Sequence, residues 1–158
     1  MTNAPITQDN HSDTDTVERN KRNMRRIYEV IIDQGRADLI DEHFTPGLVN
    51  HTAPEALRNG TGAIVGLVSM LRTAFPDCRT EIEELAGAGD VVVMRNWFSG
   101  THLGPFLGNA PTGRTFRFRQ MHWMRFDADG RVTDHWGVRD DVAHLQQLGL
   151  IDQPPAGE

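Results

Sequence analysis

The sequence has little cysteine, no excess of basic residues and no long hydrophobic run. Its single cysteine, Cys78, excludes an internal disulfide and a cysteine-rich metal site. Sixteen Lys and Arg residues against 22 Asp and Glu residues give a net charge of −6. Nucleic-acid-binding proteins usually carry a basic excess, so no nucleic-acid partner is expected. No apolar run reaches the ~18 residues that indicate a membrane span, and the N-terminus lacks the apolar segment of a signal peptide. We therefore expect a cytoplasmic protein that does not bind membranes.

The length and composition are those of one soluble globular domain, with 158 residues of which 38% are hydrophobic. Residues 1–16 are mostly polar and are predicted to form a disordered arm, because so few apolar side chains cannot offset the entropy of ordering. Residues 17–150 are predicted to form the domain, and residues 151–158 a C-terminal tail.

Hydrophobic spacing predicts helices in the first half of the domain and strands in the second half. Apolar residues at a period near 3.6 predict helices over 17–33 and 36–43, and a third helix capped by Thr61. Alternation then predicts strands over 80–85, 90–99, 115–126 and 131–138, and a short helix follows over 140–148. This order predicts an α+β fold in which a curved antiparallel sheet wraps around a helix as a cone with an internal pocket.

The strand over 115–126 contains two polar residues in an otherwise apolar row. Taking every second residue gives an inward face of Phe116, Phe118, Gln120, His122, Met124 and Phe126. Burying Gln120 or His122 without partners would cost about 1–3 kcal/mol each. Each is therefore either hydrogen-bonded by neighbouring groups or faces a wet cavity. Two such positions in one row favour a pocket wall, which Phe118 and Met124 would also line.

Alternation alone does not decide which face of the strand over 131–138 is inward. Hydrophobicity predicts that Trp136 points inward, and a bulge at Gly137 would redirect either Asp134 or His135. Both Trp136 and His135 are therefore candidate ligand contacts.

Three further features have an ordinary structural explanation beside a functional one. Asn50 lies on a short extended piece between helices, where polar residues are common on surface loops. Asp140 begins the last helix, where an aspartate usually acts as a cap. Met121 and Trp123 would form an apolar patch on the outer face of the sheet, which predicts a homodimer through that face.

Several segments resemble the SnoaL-like polyketide cyclases, in the same order and over residues 17–149. They are residues 26–28 (RIY) with 34–35 (QG), 71–77 (LRTAFPD), 99–108 (SGTHLGPFLG), 111–113 (PTG), 129–132 (DGRV) with 134–136 (DHW), and 145–149 (LQQLG). The resemblance implies the cone-shaped fold of the nuclear-transport-factor-2-like superfamily. It also implies an intramolecular aldol cyclisation that uses no metal and no organic cofactor.

The resemblance extends to individual site residues with one departure. Asn50, Gln120 and His122 match the polar pocket residues of the cyclases, whereas Gly137 stands where those enzymes have their acid/base aspartate. We therefore expect either enolate chemistry on a small apolar cyclic carbonyl compound, or binding of such a compound without catalysis. A limonene-type epoxide hydrolase, which has the same fold, would need an inward Arg that this strand face lacks.

In the enzyme hypothesis, His122 is the base, Asp140 is a reserve base, and Gln120 and Asn50 donate to the substrate oxygen. A carboxylate within hydrogen-bond range of His122 would favour catalysis. The absence of one would favour binding alone.

Overall fold

The computed structural model describes residues 9–152, and in this range the helices largely precede the strands. The helices are α1 (Asp9–Arg26), which continues as a π-helical segment (Ile27–Ile32), a 3₁₀ turn (Ala37–Leu39) leading into α2 (Ile40–His43), a second 3₁₀ turn (Glu55–Leu57), α3 (Gly62–Ala74) and α4 (Asp141–Leu148). The strands are β1 (Phe44–Asn50), β2 (Arg79–Ala88), β3 (Val91–Thr101), β4 (Thr115–Phe126) and β5 (Val132–Arg139). The predicted α+β fold is confirmed.

The five strands form one curved sheet in the order β1-β5-β4-β3-β2. Neighbouring strands are antiparallel except for β1 and β5, which run parallel. Helix α1 lies against β2 and β3, α3 packs against the π-helical segment, and α4 contacts β4. The hydrophobic core lies between these helices and the inward face of the sheet. Within residues 9–152, no helix is both long and apolar enough to cross a membrane.

Three details of the predicted secondary structure differ from the structure: the start of the first helix, the pairing of the extended piece, and the capping of α3. Helix α1 begins at Asp9, so residues 9–16 are helical where the sequence predicted a disordered arm. The rest of that arm, and the predicted tail beyond residue 152, lie outside the described residues. The extended piece near Asn50 belongs to β1, which makes the sheet mixed rather than wholly antiparallel. Thr61 precedes α3 as predicted, but its side chain makes no capping hydrogen bond.

Strand β4 has the alternation that the sequence predicts. Every second residue from Phe116 to Phe126 is buried, and the residues between them are exposed. Gln120 and His122 are therefore both inward. The hydrophobic residues around them fix this orientation, because a slip of one position would turn all the phenylalanines into solvent.

A β-bulge at Thr133 decides the orientation of β5. Arg125 of β4 pairs with Asp134, whereas Phe126 pairs with Val132, so Thr133 is the extra residue. The bulge shifts the alternation by one, and Val132 and His135 both face inward. The prediction that Trp136 points inward is wrong: its side chain lies on the outer face and is 38% exposed.

The outer face of the sheet carries two adjacent pairs of exposed apolar residues. Met121 pairs with Val138 and Trp123 with Trp136 across β4 and β5, and these side chains are 57%, 75%, 49% and 38% exposed in that order. Arg125, the next outward residue of β4 after Trp123, lies 3.9 Å from an Asp90 carboxylate oxygen.

We predict that this outer apolar face is covered in a homodimer. Burial of contiguous apolar surface stabilises association, and a twofold interface would place the same patch on both subunits. In sedimentation equilibrium, the parent protein should be a dimer at micromolar concentration, and Trp123→Glu should be a monomer. Leu57→Glu, at an exposed residue in the turn before α3, is the control and should remain dimeric. A parent protein that is monomeric at this concentration would contradict the prediction.

Candidate functional site

A continuous chain of side-chain hydrogen bonds crosses four strands on the inward face of the sheet. Asn96 Nδ2 lies 3.2 Å from Gln120 Oε1, which lies 3.1 Å from His122 Nε2. The other ring nitrogen of His122, Nδ1, lies 3.0 Å from His135 Nε2. His135 Nδ1 in turn lies 3.0 Å from Asn50 Oδ1. The chain brings together four of the predicted site residues.

Each residue of the chain is held by the secondary structure around it. Gln120 and His122 are two positions apart on β4 and therefore share one face. The bulge in β5 turns His135 to the same face, opposite Met124. Asn50 ends β1 beside His135. There its Oδ1 accepts a hydrogen bond from the Thr52 backbone N–H at 3.2 Å, as asparagine does at turns.

The two histidines lie in a buried environment that disfavours the imidazolium form. His122 is 7% exposed, and the Tyr28 ring from the π-helical segment packs on it with the centroids 4.9 Å apart. Burial holds the pKa of His122 well below its usual value, and the neighbouring His135 and Arg139 lower it further. Burial, with Arg139 and then His51, lowers the pKa of His135 to about 4. Both imidazoles are therefore neutral at physiological pH.

The nearby carboxylates have other partners. The carboxylate of Asp140, the predicted reserve base, is exposed and caps α4 by accepting the Ala143 N–H at 3.0 Å. Asp134 accepts from His51 at 3.0 Å. Among the side chains that the structure describes, those of residues 13–152, no carboxylate hydrogen-bonds to His122, and no three metal-ligating groups converge. The capping role of Asp140 is the ordinary one, and the structure does not bring this residue to the histidine pair.

The three apolar residues predicted to contact ligand have different positions. Phe118 is buried and stacks on His144 with the centroids 4.5 Å apart, and Met124 is buried in the core. Trp136 lies on the outer face, where its ring stacks on His51 at 4.2 Å. Phe118 and Met124 thus share the face of the hydrogen-bonded chain and Trp136 does not. The internal pocket that they would line stays a prediction.

Gly137 leaves room for the bond between the two histidines. A Cβ atom at this position would lie 3.1 Å from His122 Nδ1 and 3.4 Å from His135 Nε2. His122 would have to move by a few tenths of an ångström to admit a side chain here. Glycine at position 137 therefore leaves the two imidazoles undisturbed at hydrogen-bonding distance.

Sequence analysis missed two residues of this site. Asn96 is fully buried and bonded to Gln120, and it lies in an apolar row with Val92, Met94 and Phe98. The alternation that singled out Gln120 would have found it. Tyr28 gave no such signal, because a tyrosine on the apolar face of a helix is ordinary core.

The fold is an α+β cone of the SnoaL and nuclear-transport-factor-2 type. The family model of the SnoaL-like polyketide cyclases matches residues 22–148. The chain therefore belongs to the SnoaL-like polyketide cyclase family.

The similar proteins include two named aklanonic acid methyl ester cyclases. Aklanonic acid methyl ester cyclase DauD from Streptomyces sp. (strain C5) is 30% identical over 85% of this chain and 84% of its own. The cyclase DnrD from Streptomyces peucetius, of the same name, is 32% identical over 73% of this chain and 78% of its own. The crystal structure of AclR from Streptomyces galilaeus, assigned as a hydroxylase, is 25% identical with a TM-score of 0.76, covering 88% of this chain and 86% of its own.

We predict that His122→Ala destabilises the fold. Both ring nitrogens of His122 are hydrogen-bonded within the protein, so its removal leaves a void and unpaired groups on Gln120 and His135. The expected loss is about 2–4 kcal/mol, or a drop of roughly 5–15 °C in melting temperature for a domain of this size. His51→Ala, which removes a partly exposed histidine, is the control and should cost at most about 1 kcal/mol. A His122→Ala melting temperature within about 3 °C of the parent would contradict the prediction, because it would show that these two hydrogen bonds contribute little to stability.

We also predict that the folded state loses stability between pH 6.5 and 4. The pKa of His135 falls from 6.5 to about 4 on folding, and burial likewise lowers that of His144 to about 4. In this interval the unfolded chain binds more protons, so the free energy of unfolding falls as the pH is lowered. Urea unfolding at several pH values measures it. His135→Gln should flatten the dependence between about pH 6.5 and 5.5, and an unchanged dependence in that variant would contradict the assignment.

Proposed function

We propose that this protein catalyses cofactor-independent ring closure of a small, largely apolar polyketide-like carbonyl compound, with the His122 imidazole as the base. The reaction is an intramolecular aldol addition. Such a reaction needs a group that removes a proton next to a carbonyl and donors for the oxygen that becomes negative.

The observation that carries the proposal is the pairing of His122 with His135 on the inward face, beside Gln120. A base must be unprotonated before it acts, and burial keeps the pKa of both imidazoles below the usual histidine value. The amide of Gln120 lies next to His122 Nε2 and supplies an N–H for the substrate oxygen. Phe118 and Met124 on the same face suit an apolar ligand.

The proposed step conserves all atoms of the substrate. His122 Nε2 takes a proton from the carbon next to one carbonyl, and the resulting enolate carbon attacks the carbon of a second carbonyl in the same molecule. A carbon–carbon bond forms, and the second oxygen becomes an alkoxide. The imidazolium returns the proton to that oxygen, so the product is an isomer of the substrate.

The names of the similar cyclases supply a first substrate to test. DauD and DnrD are both named as cyclases of aklanonic acid methyl ester. A methyl ester carries a carbonyl group, and an inward face of aromatic residues interrupted by Gln120 and His122 suits a largely apolar carbonyl compound.

Binding without catalysis is the second candidate, and one specific observation favours it. In the part of the chain that the structure describes, no carboxylate reaches His122, and glycine stands at position 137. A protein with this arrangement would bind the same apolar class of ligand and use the polar chain only to orient it.

The two candidates are separated by incubating the protein with aklanonic acid methyl ester in buffered D₂O. Chromatography with mass detection would follow the cyclised isomer and the deuterium taken up by recovered substrate. We expect the parent protein to form the isomer or to exchange the proton next to the carbonyl. His122→Gln, which keeps a polar side chain of similar size, should lower the rate by at least about 100-fold.

The matched control is His51→Gln, which replaces the histidine directly after β1 whose ring stacks on Trp136 of the outer face. Its rate should equal that of the parent protein. Saturable binding of the ester with neither ring closure nor exchange would support the binding candidate and contradict catalysis. Equal rates for the parent protein and His122→Gln would exclude His122 as the base.

A further inference from the structure

The hydrogen bonds on the inward face have a fixed order of donors and acceptors, because the group at one end can only donate. The Thr52 backbone N–H is always a donor, and it points at the Asn50 side chain at 3.2 Å. The Asn50 atom that receives it must therefore be the carbonyl oxygen, although amide oxygen and nitrogen have similar shapes. The same oxygen faces His135 Nδ1 at 3.0 Å. An oxygen can only accept, so His135 must carry a proton on Nδ1.

The proton on His135 Nδ1 dictates the state of His122. A neutral imidazole holds one proton, so His135 Nε2 is bare and acts as an acceptor. His122 Nδ1 faces that nitrogen at 3.0 Å and must donate to it. The single proton of neutral His122 is then on Nδ1, which leaves Nε2 with a free lone pair. In the orientation described above, Gln120 Oε1 faces this lone pair and also accepts from Asn96 Nδ2. Amide oxygen and nitrogen have the same shape, and Asn96 Oδ1 has no partner in that orientation. The tautomer therefore requires both amides to be reversed, so that the Gln120 amide donates one N–H to His122 Nε2 and the other to Asn96 Oδ1.

We infer that the Thr52 backbone N–H, acting through Asn50 and His135, fixes His122 in the tautomer that has its proton on Nδ1 and Nε2 free to accept one. His135 is here a positioning residue, because its Nδ1–H donates to Asn50 and its Nε2 accepts from His122. The effect on catalysis rests on the proposed function, with Nε2 as the atom that takes the substrate proton. The tautomer itself does not.

Other groups near His122 and His135 do not change this order of donors and acceptors. Arg139 of β5 acts on both histidines as a positive charge, and His51 acts on His135 from the end of β1. Tyr28 covers His122 from the helical side and, because burial raises the pKa of its hydroxyl, stays neutral. These groups oppose a second proton on either imidazole. They do not change which ring nitrogen donates and which accepts.

The test is two-bond proton–nitrogen NMR of the full chain labelled with ¹⁵N-histidine, at pH 8, where both histidines are neutral. The His122 and His135 signals are assigned by their loss in His122→Gln and His135→Gln. In the parent protein we expect both residues to show a protonated Nδ1 and an unprotonated Nε2, whereas free histidine favours the opposite tautomer. A parent protein in which His122 carries its proton on Nε2 would overturn the inference without any variant.

A second experiment removes the Asn50 side chain, whose oxygen accepts the proton of His135 Nδ1. In Asn50→Ala the acceptor for His135 Nδ1 is gone, so His122 should change to the Nε2-protonated tautomer and donate to the Gln120 oxygen. His51→Gln changes the next residue in the sequence, which is not part of the hydrogen-bonded chain, and should leave the parent tautomer unchanged. A His122 signal in Asn50→Ala that equals that of the parent would show that Asn50 does not set the tautomer. Turnover is not the readout, so a protein without cyclase activity would still decide this inference.

Discussion

His122 on β4 and His135 on β5 share a hydrogen bond across neighbouring antiparallel strands, with the two nitrogens 3.0 Å apart. The bond requires both side chains on the same face, and the bulge at Thr133 provides this by shifting the alternation of β5. Glycine at position 137 favours the same geometry, because a Cβ atom there would lie 3.1 Å from His122 Nδ1 and would displace it by a few tenths of an ångström. The rest of the polar chain, from Asn96 to Asn50, extends from this pair in both directions.

The same pair determines what chemistry the site offers. A buried carboxylate as acid/base group needs nearby donors to stay charged, whereas a buried neutral imidazole needs only a partner that selects its tautomer. Here the partner is a second imidazole, which is anchored to the backbone through Asn50. Family membership does not by itself specify the reaction, since the similar proteins include named cyclases and AclR, which is assigned as a hydroxylase.

The fold and half of the site could be predicted from the sequence, for identifiable physical reasons. The burial of Gln120 and His122 followed from alternation on β4, because the phenylalanines of the same row fix the orientation of the strand. The orientation of His135 and Trp136 could not be predicted, since one extra residue reverses every later position and no glycine or proline marks the bulge at Thr133. Asn50 was recognised by resemblance alone, because the parallel pairing of β1 with β5 brings together residues 85 positions apart.

The most direct test of the account is a double-mutant cycle between His122 and His135, measured by urea unfolding at pH 8. If the two imidazoles form one hydrogen-bonded unit, either alanine substitution alone already removes the stabilising free energy of their shared hydrogen bond. The second substitution then costs less than it does in the parent protein. The cycle should then give a coupling free energy of about 1 kcal/mol or more. Alanine substitutions whose effects add to within about 0.5 kcal/mol would show that the two histidines are independent, and would contradict the account.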